Sequence, residues 1–371
     1  MAKTYQRTKL QEVTIRGYKS IAYDRPVTLK LGDVSILLGA NGAGKSNIIS
    51  FFRMLSYMMS KSFGRYVEIS GTSHALLHYG IKRTPVMSGE LKFADSNSMD
   101  VYGFSLANAT PDRLIITEER IAWHRKGEKK PYEIALEPNF KESALAECED
   151  PVAKTIFQML SYCKVYQFHD SSTEGPLRQA CPVETANYLQ SHGNNLPSFL
   201  LFLRENYKDA YNRIVDYVRD VVPQFQDFYL EPVGGIISLR WIDNSATDYR
   251  FNAYQFSDGS IRFIALAALL LQPAQTMPNV IILDEPELGL HPYAISQLAE
   301  MIKDASQVII ATQSKDLVDH FDIGDISVVE MNKETQATSV THLDAKEYHL
   351  WLQNYTVSEL WDKNIIGGRP V

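Results

Sequence analysis

Two stretches of this 371-residue chain carry residue types able to work on a phosphate. The first, Gly39-Ala40-Asn41-Gly42-Ala43-Gly44-Lys45-Ser46, fits the pattern G-x-x-x-x-G-K-S. Its glycines let the backbone aim N–H groups at an anion. Lys45 is a cation for β- and γ-oxygens, and the Ser46 hydroxyl is a ligand for Mg²⁺. The second is Asp284-Glu285-Pro286-Glu287, directly after Val280-Ile281-Ile282-Leu283. Asp284 is suited to hold Mg²⁺ through water, and Glu285 to take the proton of an attacking water.

The flanking elements decide whether these residues can act. Val34 to Leu38 is a short apolar run that reads as a buried strand. From Asn47 to Ser60, Ile48, Phe51, Phe52, Leu55 and Met59 recur at helical spacing. Strand, glycine loop and helix are the context in which the loop binds phosphate, with the helix N-terminus facing the anion. Val280 to Leu283 reads as a strand buried on both faces. A helix from Pro292 to about Lys303, a strand Gln307 to Ala311 and a turn at Thr312-Gln313-Ser314 follow.

Between these motifs the pattern changes. Strands are expected at Leu10 to Ile15 and Val27 to Leu31. Residues 62–160 hold strand-like runs at Gly89 to Ala94, Tyr102 to Leu106, Leu114 to Trp123 and Tyr132 to Leu136, which read as an inserted antiparallel β subdomain. A helical insertion is expected over 190–225, ended by Pro223. Further strands are expected at Phe225 to Leu230, Ile236 to Trp241 and Tyr249 to Phe251, then an apolar helix Ile261 to Leu271 opened by Ser257-Asp258-Gly259-Ser260. The tail adds strands at Ile326 to Glu330 and Thr338 to Leu343 and a helix near Ala345 to Gln353.

Composition excludes some classes. Hydrophobic residues at 45% and charged residues at 22% are those of a globular chain, and no apolar run approaches the ~18 residues of a membrane span. The opening residues lack the apolar core of an export signal, and Cys148, Cys163 and Cys181 form no C-x-x-C; both point to a cytoplasmic setting. A net charge of −7 argues against a surface that binds nucleic acid all over. A local basic group remains at Arg120, Arg125, Lys126, Lys129 and Lys130, where a solvated hairpin turn is the favoured reading over a phosphate contact.

These motifs carry a family resemblance. Asp284-Glu285-Pro286-Glu287 with Gly289-Leu290-His291-Pro292 resembles the Walker B and D-loop of ABC-type ATPases, in the RecF/SMC-like branch. Arg16-Gly17-Tyr18-Lys19-Ser20 is similar to that branch's opening motif. The resemblance implies that Lys19 and Ser20 bind nucleotide together with Asn41, Gly42, Ala43, Gly44, Lys45, Ser46 and Asn47. Gln167 stands where the family has its Q-loop glutamine, implying a metal-sensing role beside Ser46 and Asp284. Phe256-Ser257-Asp258-Gly259-Ser260 resembles the signature motif without its second glycine. Gln313 falls at the switch position, usually histidine, and takes the catalytic place that the family gives it. The ending, Leu360 to Asn364 and Gly367-Gly368-Arg369-Pro370, also resembles bacterial members, some of them in anti-phage defence systems.

The resemblance implies an α/β fold: a single P-loop ABC-type ATPase head over residues 1–371, with a mixed sheet and both insertions. It implies ATP and Mg²⁺ as cofactors. It also implies a homodimer in which Ser257, Asp258, Gly259 and Ser260 of one copy complete the ATP site of the other, with Asp258 as helix cap. Such a switch would act in DNA maintenance or repair, or in anti-phage defence, through a co-encoded effector, with DNA as a further candidate partner and no membrane. The rival readings are an ATPase-regulated nuclease of the OLD type and a transporter's nucleotide-binding subunit. The first needs a fused metal-dependent module, for which the roughly 57 residues after Ser314 are few. The β insertion and the Ser-Asp-Gly signature argue against the second.

Overall fold

The computed structural model describes residues 8–127, 130–137 and 140–369. The chain divides into two compact units, one of Met1–Lys164 with Asp322–Val371 and one of Val165–Phe321.

In the first unit, strands β1 (Lys9–Arg16), β2 (Val27–Lys30), β4 (Val86–Ala94), β5 (Ser98–Ala109), β6 (Arg113–Arg125) and β7 (Tyr132–Ala135) form one antiparallel sheet in the order β2-β1-β4-β5-β6-β7. Alternation puts Val13, Ile15, Leu91 and Tyr102 on the buried face. The P-loop helix α1 (Lys45–Met59) meets that face, with Phe51 stacked on Phe104 at 6.0 Å between ring centroids. A second, mixed sheet holds β3 (Val34–Leu38), parallel to Ile326–Asn332, which pairs antiparallel with Ala337–His342. A strand from the far end of the chain thus flanks the strand that feeds the P-loop.

Residues 62–160 are not all strand. They open with helices Phe63–Ile69 and Thr72–Leu76 and close with Pro151–Ser161. That last helix has its own sequence signal: Asp150 caps it, accepting from Val152 N and Ala153 N, and Pro151 sits in its first turn. The strands of this stretch hydrogen-bond to β1 through β4. Of the basic group, Arg120 lies inside β6, bridged to Glu90 and Glu133, so it is a sheet residue and not part of a hairpin tip. Lys129 lies outside the described residues.

In the second unit, Val280–Asp284 and Val308–Thr312 are parallel neighbours with every residue buried, as their unbroken apolar sequences require. The expected helical insertion is two helices, Leu196–Asn206 and Lys208–Val221. Phe225–Tyr229, Arg240–Asp243 and Ala246–Asn252 make an antiparallel three-stranded sheet. Trp241 on it stacks against Phe251 and Phe256, at 4.6 and 4.8 Å between centroids. Phe256 lies one residue before the cap of the signature helix Asp258–Leu270, which is buried almost all round.

Candidate functional site

The phosphate loop is finished by backbone geometry. Gly44 caps α1 at φ 110°, with no side-chain cap. A Cβ there would meet Thr338 Oγ1 at 2.1 Å, so only glycine fits. Gly39 lies equally close to Val329, whose carbonyl oxygen would be 2.3 Å from a Cβ. Lys45 is buried, and its Nζ donates to Gly39 O at 2.7 Å and Ala40 O at 3.0 Å. Asn41, Gly42 and Ser46 are exposed.

Ser20 and Asn47 meet, as the resemblance grouped them: Asn47 Nδ2 donates to Ser20 Oγ at 2.7 Å. Thr338, which sequence reasoning passed over, completes the group. Its hydroxyl lies 2.7 Å from Ser20 Oγ and donates to Ala43 O at 3.0 Å, and its N–H donates to Ser20 O at 2.7 Å. Lys19 is held at φ 49°, and its Nζ donates to Ser50 Oγ on α1 at 2.9 Å. Burial, then the charge of Arg53, lowers its pKa.

The second unit builds a carboxylate centre. Asp284 ends its strand, and Gln167 Nε2 donates to Asp284 Oδ2 at 2.9 Å. His169 Nε2 lies 2.7 Å from Asp284 O, so it carries the proton in that bond. Arg262, on the signature helix, donates to His169 O at 2.6 Å and to Leu288 O at 2.8 Å. Glu285 is at φ 43°, a left-handed conformation that costs a non-glycine residue ~1–3 kcal/mol. Gln313 Nε2 donates to Glu285 Oε1 at 3.2 Å. Glu287 is buried and accepts from Thr312 Oγ1; burial raises its pKa, against the opposing effect of that hydroxyl.

The signature motif corrects one expectation. The cap of its helix is Ser257, which accepts from Ser260 N at 3.1 Å, and not Asp258. Asp258 is taken by Arg178, whose Nη2 donates to Asp258 Oδ1 at 2.8 Å. Arg178 is buried and also donates to Ser171 O, Ala253 O and Phe256 O. It ties the segment after Gln167 to the segment before the signature helix. His169, Arg178, Arg262 and Thr338 carried no sequence signal, because each acts through contacts distant in the chain.

The metal side has suitable chemistry. Asp284 and Gln167 offer oxygen donors of the hard kind that Mg²⁺ prefers, and the amide nitrogen of Gln167 is already committed to Asp284. Among the described residues no group of three or more His, Cys, Asp or Glu is placed to hold a metal ion, and no helix is long and apolar enough to cross a membrane.

The fold is that of an SMC-like ABC-type ATPase head, with a phosphate loop in one unit and a carboxylate-ended strand in the other. The chain belongs to the family described as "AAA domain, putative AbiEii toxin, Type IV TA system", whose model matches residues 34–319. No curated protein matches it. Among solved structures it is similar to an SmcHead bound to the C-winged helix domain of ScpA, at 14% identity and TM-score 0.61, covering 92% of this chain and 99% of that one. It is also similar to an Smc head domain with an extended coiled coil, bound to the C-terminal domain of ScpA derived from Pyrococcus furiosus. There the identity is 13% and the TM-score 0.57, over 94% of this chain and 99% of that one.

Proposed function

We propose that this chain binds ATP with Mg²⁺, hydrolyses it, and acts as a switch whose ATP site is completed by a second copy. The observation that carries the reading is Glu285. It is a carboxylate held in a strained conformation at the end of a buried strand, with Gln313 donating to it. Strain of this kind persists only where surrounding structure enforces it, and it fixes where the carboxylate can be.

In this reading Lys45 and the loop N–H groups hold the β- and γ-phosphates. Ser46, Asp284 and Gln167 would hold Mg²⁺, which would supply positive charge against the phosphates. Glu285 takes a proton from water as its oxygen attacks the γ-phosphorus and the bond to the bridging oxygen breaks, releasing ADP. Gln313 orients Glu285. Ser257, Gly259 and Ser260 of the second copy cap the γ-phosphate; the reading is supported by Ser257 and Arg178, which hold that helix start in order.

The family description names a toxin of a toxin–antitoxin system, and the similar SMC heads are bound to domains of ScpA. Both support an effector protein as the partner, in defence or DNA maintenance. The test is phosphate release with size-exclusion chromatography. Glu285→Gln should lose ~10²–10⁴ in rate yet bind ATP and accumulate as a dimer with ATP and Mg²⁺. Turnover near the wild-type rate with no trapped dimer would overturn the reading.

A further inference from the structure

Glu287 has no part in the reading above, yet its setting is unusual. It is 8% exposed, and Oε2 has no hydrogen-bond partner among the described residues. Burial disfavours its charged form. A buried carboxyl with one oxygen unpaired is a net cost to folding, where an apolar side chain of similar size would pack without penalty.

Its other oxygen, Oε1, accepts from Thr312 Oγ1, and that same Thr312 oxygen accepts from Ser314 N at 2.9 Å. The carboxyl therefore fixes the Thr312 hydroxyl, and that hydroxyl closes the turn across Gln313. The strand below is in fixed register, Asp284 opposite Ala311, and Glu285 N donates to Ala311 O at 2.8 Å. Glu285 is thus held by main chain, whereas the Gln313 side chain is held only as well as its turn. The link from Glu287 to Thr312 anchors that turn from outside it.

We infer that Glu287 is a positioning residue for hydrolysis: its carboxyl staples the Thr312–Ser314 turn and so sets the Gln313 amide on Glu285. The inference rests on the reading of Glu285 as general base. It adds a residue that touches neither nucleotide nor water and acts through Gln313.

The test is a double-mutant cycle on steady-state ATP hydrolysis. Glu287→Ala should lower kcat by about 10- to 100-fold while KM for ATP stays within about twofold, since a misplaced group costs rate and not ground-state binding. Glu287→Gln keeps an oxygen for the Thr312 hydroxyl and should stay within about threefold of wild type. Thr312→Val, which removes the hydroxyl from the other side together with the acceptor of Ser314 N, should be at least as slow as Glu287→Ala and serves in its place should that variant not fold. The pair Glu287→Ala with Gln313→Ala should be no slower than the slower single variant, because both break one linkage. Wild-type kcat in Glu287→Ala or Thr312→Val would overturn the inference, as would losses that multiply, or a Glu287→Gln as slow as Glu287→Ala. Glu285→Gln run in parallel separates the two layers. If it turns over normally, the general-base reading has failed; if it is slow while Glu287→Ala is normal, only the positioning role has failed.

Discussion

Helix α1 and the signature helix both begin at a phosphate motif, and their first turns are completed in opposite ways. Gly44 gives α1 no side-chain cap, and at φ 110° it turns the chain through a left-handed conformation into the helix. The signature helix is capped from within: Ser257 accepts from Ser260 N, the two hydroxyls lie 2.8 Å apart, and Arg178 holds Asp258. The first leaves its opening N–H groups uncapped by any side chain, which on the proposed reading makes it an anion cradle of main chain. The second is capped by a side chain, and because the Ser257 oxygen accepts from Ser260 N, its cap hydroxyl keeps an O–H to donate. On this account the P-loop binds nucleotide within one copy, and the signature contributes only when a second copy presents its γ-phosphate.

The contrast is broken most severely at the cradle. Gly44→Ala puts a methyl group within 2.1 Å of Thr338 Oγ1 at a φ that alanine avoids, and ATP binding by calorimetry should fall below detection. Retained affinity would mean that the cradle does not depend on this backbone path. At the other helix, Ser257→Arg should leave ATP affinity within about twofold and abolish ATP-dependent dimerisation, since a bulky cation occupies the partner's docking place and not the P-loop. An ATP-dependent dimer of this variant in light scattering would show that the signature does not face a second copy.

A smaller effect is expected where the signature is anchored. Arg178→Ala leaves Ala253, Phe256 and Ser171 carbonyls without their buried donor, which should cost about 2–4 kcal/mol in denaturant unfolding. A loss under about 0.5 kcal/mol would place the variant among ordinary surface changes and remove the anchor from the account. The smallest effect lies in the antiparallel sheet. Burial, then Asp95, pushes the Asp100 carboxyl up to about 6. The folded state therefore holds this proton more tightly than the unfolded chain, so the associated stability is full below about pH 4 and fades as pH rises through 6. Asp100→Asn should raise Tm at pH 7.5 and leave it nearly unchanged at pH 4. A stabilisation equal at both values would contradict that assignment.

Legibility in the sequence followed the same contrast. The glycine loop, its strand and its helix could be read from spacing, because all three are local properties of a short apolar run, the glycines and one helix start. The strand Val280–Asp284 was equally plain from its apolar run. Asp258 was misread as a cap because the sequence does not show that Arg178, eighty positions earlier, claims it. Thr338 reaches the loop only because its strand pairs with Ile326–Asn332, which in turn pairs with β3; His169 reaches Asp284 by a tertiary contact, and Arg262 reaches His169 by another. The helix Pro151–Ser161 was legible in Asp150-Pro151 but lay hidden among strand-like runs.

The central claim is that one chain's P-loop works with another chain's signature, and mixing two inactive variants tests it most directly. Lys45→Ala lacks a working cradle, and Ser257→Arg lacks a working signature. Each alone should hydrolyse ATP at less than about a hundredth of the wild-type rate. Mixed at equal concentration, they can form a dimer with one intact pair: the P-loop of the Ser257→Arg copy and the signature of the Lys45→Ala copy. The account predicts that phosphate release returns in the mixture and rises with total protein concentration. A mixture no more active than its components, or a Ser257→Arg variant fully active alone, would contradict it.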